Sequence, residues 1–592
     1  MEKKRAALYR SLLIIFALVA LCLLLSFATN NNYYRLMLAV IPIWAVLGIS
    51  WNVFSGYSGL ISFGHAAFFG VGAYTVTLGL VNFGLTPWIG VPLGAIVGAL
   101  TAGLIGIPTF RLRGVYFALA MLAYPLSMVY VFDWLGLQEI TLPMMRENGP
   151  AYMQFTDNRW YQVVSLSLFI VAILTCLFIE RSRFGRSLLA IKQNELAAEA
   201  CGVDTFKWKL YAILISGAMA GAAGGLFAVI QLVVTPASVF GLVISAQAMI
   251  LTLFGGAGII WGPVIGAAVL LPLSETLHAE LGHLVPGITG MVYGAAIILV
   301  MVLAPEGIYW RINDLLKRRK VSETGDAPAP VAVSSRAPAM HETRRARSGE
   351  VLLGVDNISK FYGGLGAVKE VGFEIHTGEI VGVIGPNGAG KTTLFNILNG
   401  LIQPSSGRVV FNGIDITSLK PNRRCAAGIG RTFQVVRSFP RMTVEENVLI
   451  GAYVRAENEG DAWRRAAEAL GTVGLTGRAH ALAGSISTKE LRLMELARAL
   501  AGDPRLLLLD EPLAGLGADE ASELTDILKR LASGGLTIAI IEHTMQAMVD
   551  LADRMIVLDH GVLLTEGAPE QVTRDPHVIE AYLGRKWAAK HA

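Results

Sequence analysis

A glycine-rich run, Gly385-Pro386-Asn387-Gly388-Ala389-Gly390-Lys391-Thr392-Thr393, follows the apolar stretch Glu379-Ile380-Val381-Gly382-Val383-Ile384 and leads into a helical stretch ending near Asn399-Gly400. Its spacing is G-x-x-x-x-G-K-[ST], in the strand–loop–helix context that phosphate binding requires. The glycines let backbone N–H groups converge on phosphate oxygens at a helix N-terminus. Lys391 is placed to reach the β- and γ-phosphates, and Thr392 offers a hydroxyl to Mg2+. A second apolar strand, Arg505-Leu506-Leu507-Leu508-Leu509, ends in Asp510-Glu511-Pro512. Asp510 is placed to hold the cation through water, and Glu511 to polarise an attacking water. The chemistry these residues predict is phosphoryl transfer from a nucleotide to water.

Such a site needs a soluble framework, and only the C-terminal part of the chain has the composition for one. The 592 residues are 53% hydrophobic and 16% charged, against about 25% charged in ordinary soluble domains. That excludes a disordered chain and argues against a wholly soluble one. The average hides a split. Through Lys320 there are 33 charged residues, about a tenth of that part, while the other 61 fall in the remaining 272 residues, a soluble-protein share. Residues 1–320 therefore read as a transmembrane part and 350–592 as a soluble part. The stretch between them, 321–349, is rich in Ala, Pro, Ser and Arg without apolar periodicity, and predicts a disordered tether spanning on the order of 30 Å. Its run Arg344-Arg345-Ala346-Arg347 reads as solvated charge, with membrane lipid headgroups as the alternative partner. The net positive charge lies with the hydrophobic part, which points to basic loops beside a membrane and not to nucleic acid. Cys22, Cys176, Cys201 and Cys425 have neither metal-ligand nor disulfide spacing and read as small packing residues.

Apolar runs long enough to cross a bilayer lie at about 11–28, 36–54, 60–80, 87–107, 114–132, 161–179, 210–232, 241–259, 263–278 and 286–304. A re-entrant pair would reduce that number, so the expectation is a polytopic α-helical domain of about eight to ten spans. Basic residues cluster before the first run (Lys3, Lys4, Arg5, Arg10), at Arg111 and Arg113, from Arg181 to Lys209, and after the last run (Arg311, Lys317–Lys320). With ten spans all four clusters fall on the cytoplasmic side, as the charge bias requires. The first run also has a signal-peptide pattern, but it is long and more spans follow, so it is expected to be retained. No Asp, Glu, Lys or Arg sits near the middle of a span; Asp133 and Glu275 are near ends. Ion-driven carriers usually need such groups, so the energy source is expected in the soluble part. Strong polarity inside the spans comes from Asn52, His65, Gln231 and Gln247; His65 is expected to be a packed, hydrogen-bonded residue before it is a substrate ligand.

The order of phosphate loop, Arg431-Thr432-Phe433-Gln434, Asp510-Glu511-Pro512 and Glu542-His543 resembles an ABC transporter ATPase of the α/β P-loop class. The resemblance implies ATP and Mg2+ as ligands, with Tyr362 stacking on adenine. It also implies Gln434 touching Mg2+ and sensing the membrane part, and His543 contacting the γ-phosphate. The stretch Arg431–Gly451 is similar to the G-type ATPase of the Liv branched-chain amino acid importers. Asn52–Tyr74, Arg111–Ala118, Arg181–Gly202 and Ala304-Pro305-Glu306-Gly307 resemble the M-type Liv permease, a type-II-importer-like fold. The chain thus reads as a permease–ATPase fusion, in which the segment around Ser187–Gly202 would be the coupling helix.

One motif departs from the family. Its signature L-S-G-G-Q aligns with Ile486-Ser487-Thr488-Lys489-Glu490, counting back from Glu495-Leu496-Ala497-Arg498. Ser487 remains as a nucleotide contact, but a glycine becomes Lys489 and the glutamine becomes Glu490, which would repel phosphate. Gly517 stands where an Asp is usual. Two unequal ATP sites are expected. The resemblance further implies a second permease of the LivH type, a second ABC ATPase of the LivF type and a periplasmic substrate-binding protein, assembled at a bacterial inner membrane with the ATPase in the cytoplasm. The expected activity is ATP-driven import of branched-chain or related amino acids. Import of urea, short amides or aromatic acids, ATP-driven export, and a regulatory membrane ATPase that moves no solute are the alternatives.

Overall fold

The computed structural model describes residues 2–145, 147–281, 283, 287–303, 307–309, 311 and 349–583. The tether at 321–348, the basic runs Lys317–Lys320 and Arg344–Arg347, and residues 304–306 of the permease-like motif lie outside the described residues. The described residues form two compact units. One runs to Lys192 and resumes at Phe206; the other joins Gln193–Thr205 to the C-terminal part.

The first unit is helical. Its helices are α1 (Glu2–Ala28), α2 (Asn32–Trp51), α3 (His65–Phe83), α4 (Pro87–Thr109), α5 (Val115–Trp134), α6 (Asn158–Arg181), α7 (Arg183–Gln193), α9 (Thr205–Gln231), α10 (Pro236–Phe240), α11 (Leu242–Gly255), α12 (Trp261–Leu281) and α13 (Ile288–Leu303). Helix α8 (Glu195–Ala200) lies in the other unit. Among the described residues nine helical stretches are long and apolar enough to cross a membrane, α10 and α11 counting together as Pro236–Gly255. The tenth expected span, 286–304, coincides with α13, whose 16 residues are short for a crossing. Two short strands, β1 (Ile140–Thr141) and β2 (Val233–Val234), pair antiparallel.

Close helix contact here depends on missing side chains, since lipid gives apolar surfaces no reason to avoid it and small residues let backbones approach. A Cβ on Gly98 of α4 would press on the carbonyl of Gly217 in α9, and one on Gly221 would press on that of Gly94. Beyond Trp51 the second helix widens into a π-turn, Asn52–Gly56. Asn52 Nδ2 donates to Ile259 O (2.8 Å), and its Oδ1 accepts from the Gly258 N–H (2.8 Å), so the loop between α11 and α12 is fastened to that turn. His65 is packed as expected, with Nε2 2.8 Å from Ser216 Oγ and Nδ1 3.2 Å from Ser62 Oγ. Gln247 is half-buried and Gln231 exposed.

The expected coupling segment is two helices with a break. Asn194 leaves the helical conformation and caps α8, its Oδ1 accepting from the Ala197 N–H at 3.0 Å. Within the second unit Ala197, Ala198 and Ala200 are buried. Helix α8 packs on the helix Pro421–Ala427, and Gln193 Oε1 accepts from the Arg441 N–H at 2.7 Å.

The rest of the second unit has two sheets. An antiparallel one runs β4–β3–β6–β7 (Leu365–His376, Val351–Tyr362, Ser406–Phe411, Ile414–Asp415), and a largely parallel one runs β12–β11–β5–β10–β9–β8. In the latter, β5 (Ile380–Ile384), β8 (Ile429–Arg431), β9 (Leu506–Asp510), β10 (Thr537–Ile541) and β11 (Arg554–Asp559) are parallel to their neighbours, and β12 (Val562–Gly567) is antiparallel at the edge. Strands covered on both faces need apolar residues throughout; β5, β9 and β10 are buried at every position. Register sets Asp510 opposite Ile541, and Ile541 opposite Val383, so the three strands end level.

Replacing Gly98 by Val should lower the melting temperature of the detergent-solubilised protein by roughly 5 °C or more, because backbone on the facing helix has no room to move. Gly290→Ala in α13, where an added Cβ meets nothing within 4 Å, should leave it unchanged in the same scan.

Candidate functional site

Four parallel strands deliver their following residues to one edge: β5 the glycine-rich loop, β8 Thr432 to Gln434, β9 Asp510 and Glu511, and β10 Glu542 and His543. Carboxyl ends of strands in open α/β sheets are where ligands bind.

The loop turns through three glycines with positive φ, at Gly385 (149°), Gly388 (83°) and Gly390 (99°), and opens the helix Lys391–Leu398. Asn387, Gly388 and Thr392 are exposed, Pro386, Gly390 and Thr393 half-buried, and Ala389 buried. The Lys391 ammonium is folded back under the loop, donating to Gly385 O (2.7 Å) and Pro386 O (2.9 Å). Burial pushes its pKa down, against the raising effect of Glu511 and Asp510.

Asp510 is buried at the end of β9. Its Oδ2 lies 3.3 Å from Arg431 Nη2, while its Oδ1 is buried without a partner. Burial raises the pKa of this carboxyl, with Arg431 opposing, and pushes the Arg431 guanidinium down to about 10. Glu511 follows with φ +48°. Its Oε2 accepts from Gln434 Nε2 at 3.0 Å, and its Oε1 lies 2.7 Å from His543 Nε2. Gln434, Glu511 and His543, far apart in sequence, thus form one cluster.

Two sequence-derived candidates stand apart from that cluster. Tyr362 is 48% exposed at the end of β3, its ring 5.4 Å from Lys360 Nζ. Ser487 caps the helix Thr488–Leu500, its Oγ accepting from the Glu490 N–H (3.3 Å) while the Ser487 N–H donates to Glu490 Oε2 (2.9 Å). Glu490 Oε1 also accepts from Arg478 Nε at 2.8 Å. Burial pushes the Glu490 carboxyl up, and these hydrogen bonds outweigh it to leave the pKa lowered. Lys489 is paired with Glu523.

Sequence reading gave no role to the charged face of that same helix. Arg492 donates to Phe433 O (3.0 Å), Gln434 O (2.7 Å) and Ala514 O (3.4 Å). Glu495 accepts from the N–H groups of Phe433 (3.3 Å) and Arg437 (3.2 Å) and from Arg498 Nη2 (3.2 Å). These residues hold the backbone that presents Gln434. Their signal was available: Arg492, Glu495 and Arg498 recur every third residue among Leu493, Met494, Leu496 and Ala497, and charge at helical spacing inside an apolar run needs buried partners. Glu542 acts alike, accepting from the N–H of Leu513 at 2.8 Å.

Comparison with known proteins gives three family matches. Residues 33–301 match the family described as "Branched-chain amino acid transport system / permease component". Residues 368–514 match "ABC transporter" and 562–588 match "Branched-chain amino acid ATP-binding cassette transporter". The "High-affinity branched-chain amino acid transport ATP-binding protein BraF" of Pseudomonas aeruginosa is 38% identical over 251 residues, covering 39% of this chain and 98% of that protein. LivG of Escherichia coli K12, which bears the same description, is 37% identical over 249 residues, with 39% and 98% covered. The "Lipopolysaccharide export system ATP-binding protein LptB" of Haemophilus influenzae is 34% identical over 237 residues, covering 40% and 98%.

Arg492→Ala should cut the rate of phosphate release at least tenfold and destabilise the second unit by roughly 3 kcal/mol, since three carbonyls lose a charged donor. Malachite-green assays and thermal unfolding measure the two effects; an unchanged rate would show that the Gln434 backbone needs no such support.

Proposed function

Because the chain belongs to the ABC transporters of branched-chain amino acid systems, with a permease component and an ATP-binding cassette in one polypeptide, we propose that it supplies half of an importer for branched-chain or related amino acids. The observation that carries this reading is the Gln434–Glu511–His543 cluster beside the phosphate loop, on a chain whose described residues include nine helical stretches long and apolar enough to cross a membrane.

In this reading Gly385 to Thr393 cradle the phosphates with backbone N–H groups. Lys391 leaves the Gly385 and Pro386 carbonyls for the β- and γ-oxygens. Glu511 accepts a proton from the attacking water, and the hydrogen bonds to its two oxygens aim it. His543 and Gln434 lie on either side of that carboxylate, placed to orient the water and meet the terminal phosphate. Tyr362 presents an exposed ring for the adenine.

A small hard cation suits the oxygens present. Asp510 offers a buried, unpartnered Oδ1, the Thr392 hydroxyl is exposed at the loop's end, and Gln434 supplies a carboxamide oxygen; Mg2+ prefers such donors. Bound there, Mg2+ would neutralise charge on the transferring phosphoryl group.

Closure of two cassettes over ATP and reopening after hydrolysis would move the permease between outward and inward access. Helices α7 and α8 fit the role of coupling segment, since α8 packs within the cassette unit. The family implies a second permease, a second ATPase and a substrate-binding protein. We assign these to the LivH, LivF and periplasmic types, in a bacterial inner membrane with the cassette in the cytoplasm. Lys489 in the signature leads us to keep two unequal ATP sites, the competent one using this chain's Lys391 and Glu511.

Glu511→Gln in the assembled complex should lower ATP hydrolysis at least a hundredfold while a fluorescent ATP analogue still binds. Radiolabelled leucine uptake into proteoliposomes should need ATP, the binding protein and an intact Glu511. Uptake indifferent to the binding protein would refute import, and hydrolysis without uptake of any amino acid would refute the amino acid as solute.

A further inference from the structure

The last described helix, Pro576–Leu583, reaches the phosphate loop by one hydrogen bond. The N–H of Gly385 donates to the Tyr582 hydroxyl at 2.7 Å. Gly385 is where the chain leaves the sheet. The ladder between β5 and β11 ends at Ile384 opposite Val557, and the next N–H goes to Tyr582 instead. The carbonyl of Leu558 stands where a Cβ on Gly385 would sit, so no other residue can take this turn without moving strand β11. The carbonyl of the same residue accepts from Lys391 Nζ at 2.7 Å. Gly385 is therefore held from two sides. One holder, Lys391, has to let go when phosphate arrives; the other, Tyr582, has no such competing duty.

We propose that Tyr582 is a positioning residue for nucleotide binding, anchoring the first peptide of the phosphate loop so that the loop keeps its shape when Lys391 swings to phosphate. Buried backbone N–H groups without a partner are rare because leaving one unpaired is costly. Without the hydroxyl, the Gly385 N–H is satisfied only if the loop shifts, and a shifted loop aims its amides away from the phosphates. Val578, buried on the same helix, fixes the helix independently of the hydroxyl. The stretch that bears Tyr582 lies within 562–588, matched separately from the cassette core, so this segment would serve the nucleotide site of its neighbour in the chain. The inference rests on nucleotide binding at the phosphate loop and on nothing about the transported solute.

The test is Tyr582→Phe in the full-length protein, which removes one oxygen and keeps the ring. Titration with a fluorescent ATP analogue and Mg2+ should show roughly threefold to tenfold weaker binding, the loss expected for one hydrogen bond. The KM for ATP should rise by the same factor, with kcat within about twofold and the nucleotide-free melting temperature lowered by no more than a few degrees. Unchanged affinity and KM would overturn the proposal, as would a lowered melting temperature with unchanged KM, which marks a merely structural bond. Wild-type binding that disappears in Lys391→Ala, run in the same titration, keeps failure of this inference distinct from failure of the nucleotide site itself.

Discussion

Glu511 sits at φ +48°, a conformation that a side chain bearing a Cβ adopts at a cost of order 1–3 kcal/mol. Its surroundings over-determine it. The Glu511 N–H donates to Ile541 O at 2.9 Å, continuing the β9–β10 ladder by one residue. The two carboxylate oxygens are taken by Gln434 and His543 from the strand ends on either side. The turn leaves the carboxylate between Gln434 and His543 and near enough to Lys391 to oppose the burial that lowers its pKa. Level strand ends, apolar throughout, are what make three such loops meet.

The Glu511 cluster is in turn tied to the helix Thr488–Leu500. Gln434 reaches Glu511 with its side chain while Arg492 holds its carbonyl, and Glu495 holds the N–H of Phe433. Glu495 also accepts from Arg437, whose carbonyl accepts from Arg498. Four residues further on, Arg441 donates its N–H to Gln193 at the start of the 193–205 segment. Hydrogen bonds therefore fasten the 434–441 stretch at both ends, to Gln193 of that segment at one and to the Glu511 carboxylate at the other. Beside that stretch the bonds made by Glu495 and Arg492 to Phe433 are buried and have no water to turn to.

Much of this was legible in the sequence because the chemistry demands adjacent residues. The phosphate loop is one continuous motif, and Asp510-Glu511 ends one apolar run, so spacing alone identified them. The Gln434–Glu511–His543 contact required strand order, which the sequence does not print; family resemblance supplied its members but not their meeting. Arg492, Glu495 and Tyr582 act on backbone N–H and carbonyl groups, which have no sequence identity; the first two left only the faint trace of charge among apolar residues of one helix, and Tyr582 left none. In the membrane part, hydropathy located the spans, yet the coupling segment broke in two at Asn194. That outcome turns on capping at a helix end, where apolar periodicity carries least information.

The departure at Ile486–Glu490 changes weight once the local bonds are known. Read as a string, Glu490 looked like a negative charge facing phosphate. In the fold its carboxylate is occupied by the Ser487 N–H and Arg478, so the residue completes a capping box and its charge is compensated where it stands. The argument for unequal sites then rests on Lys489. A glycine there would add no side chain beside a facing phosphate; a lysine adds a long one, which pairs with Glu523. Such half-exposed pairs are weak, so a phosphate competing for the ammonium has little to displace. The proposed asymmetry is therefore one of geometry more than of repulsion: the serine and its helix N-terminus remain, and what differs is the bulk and the movable charge set in front of them.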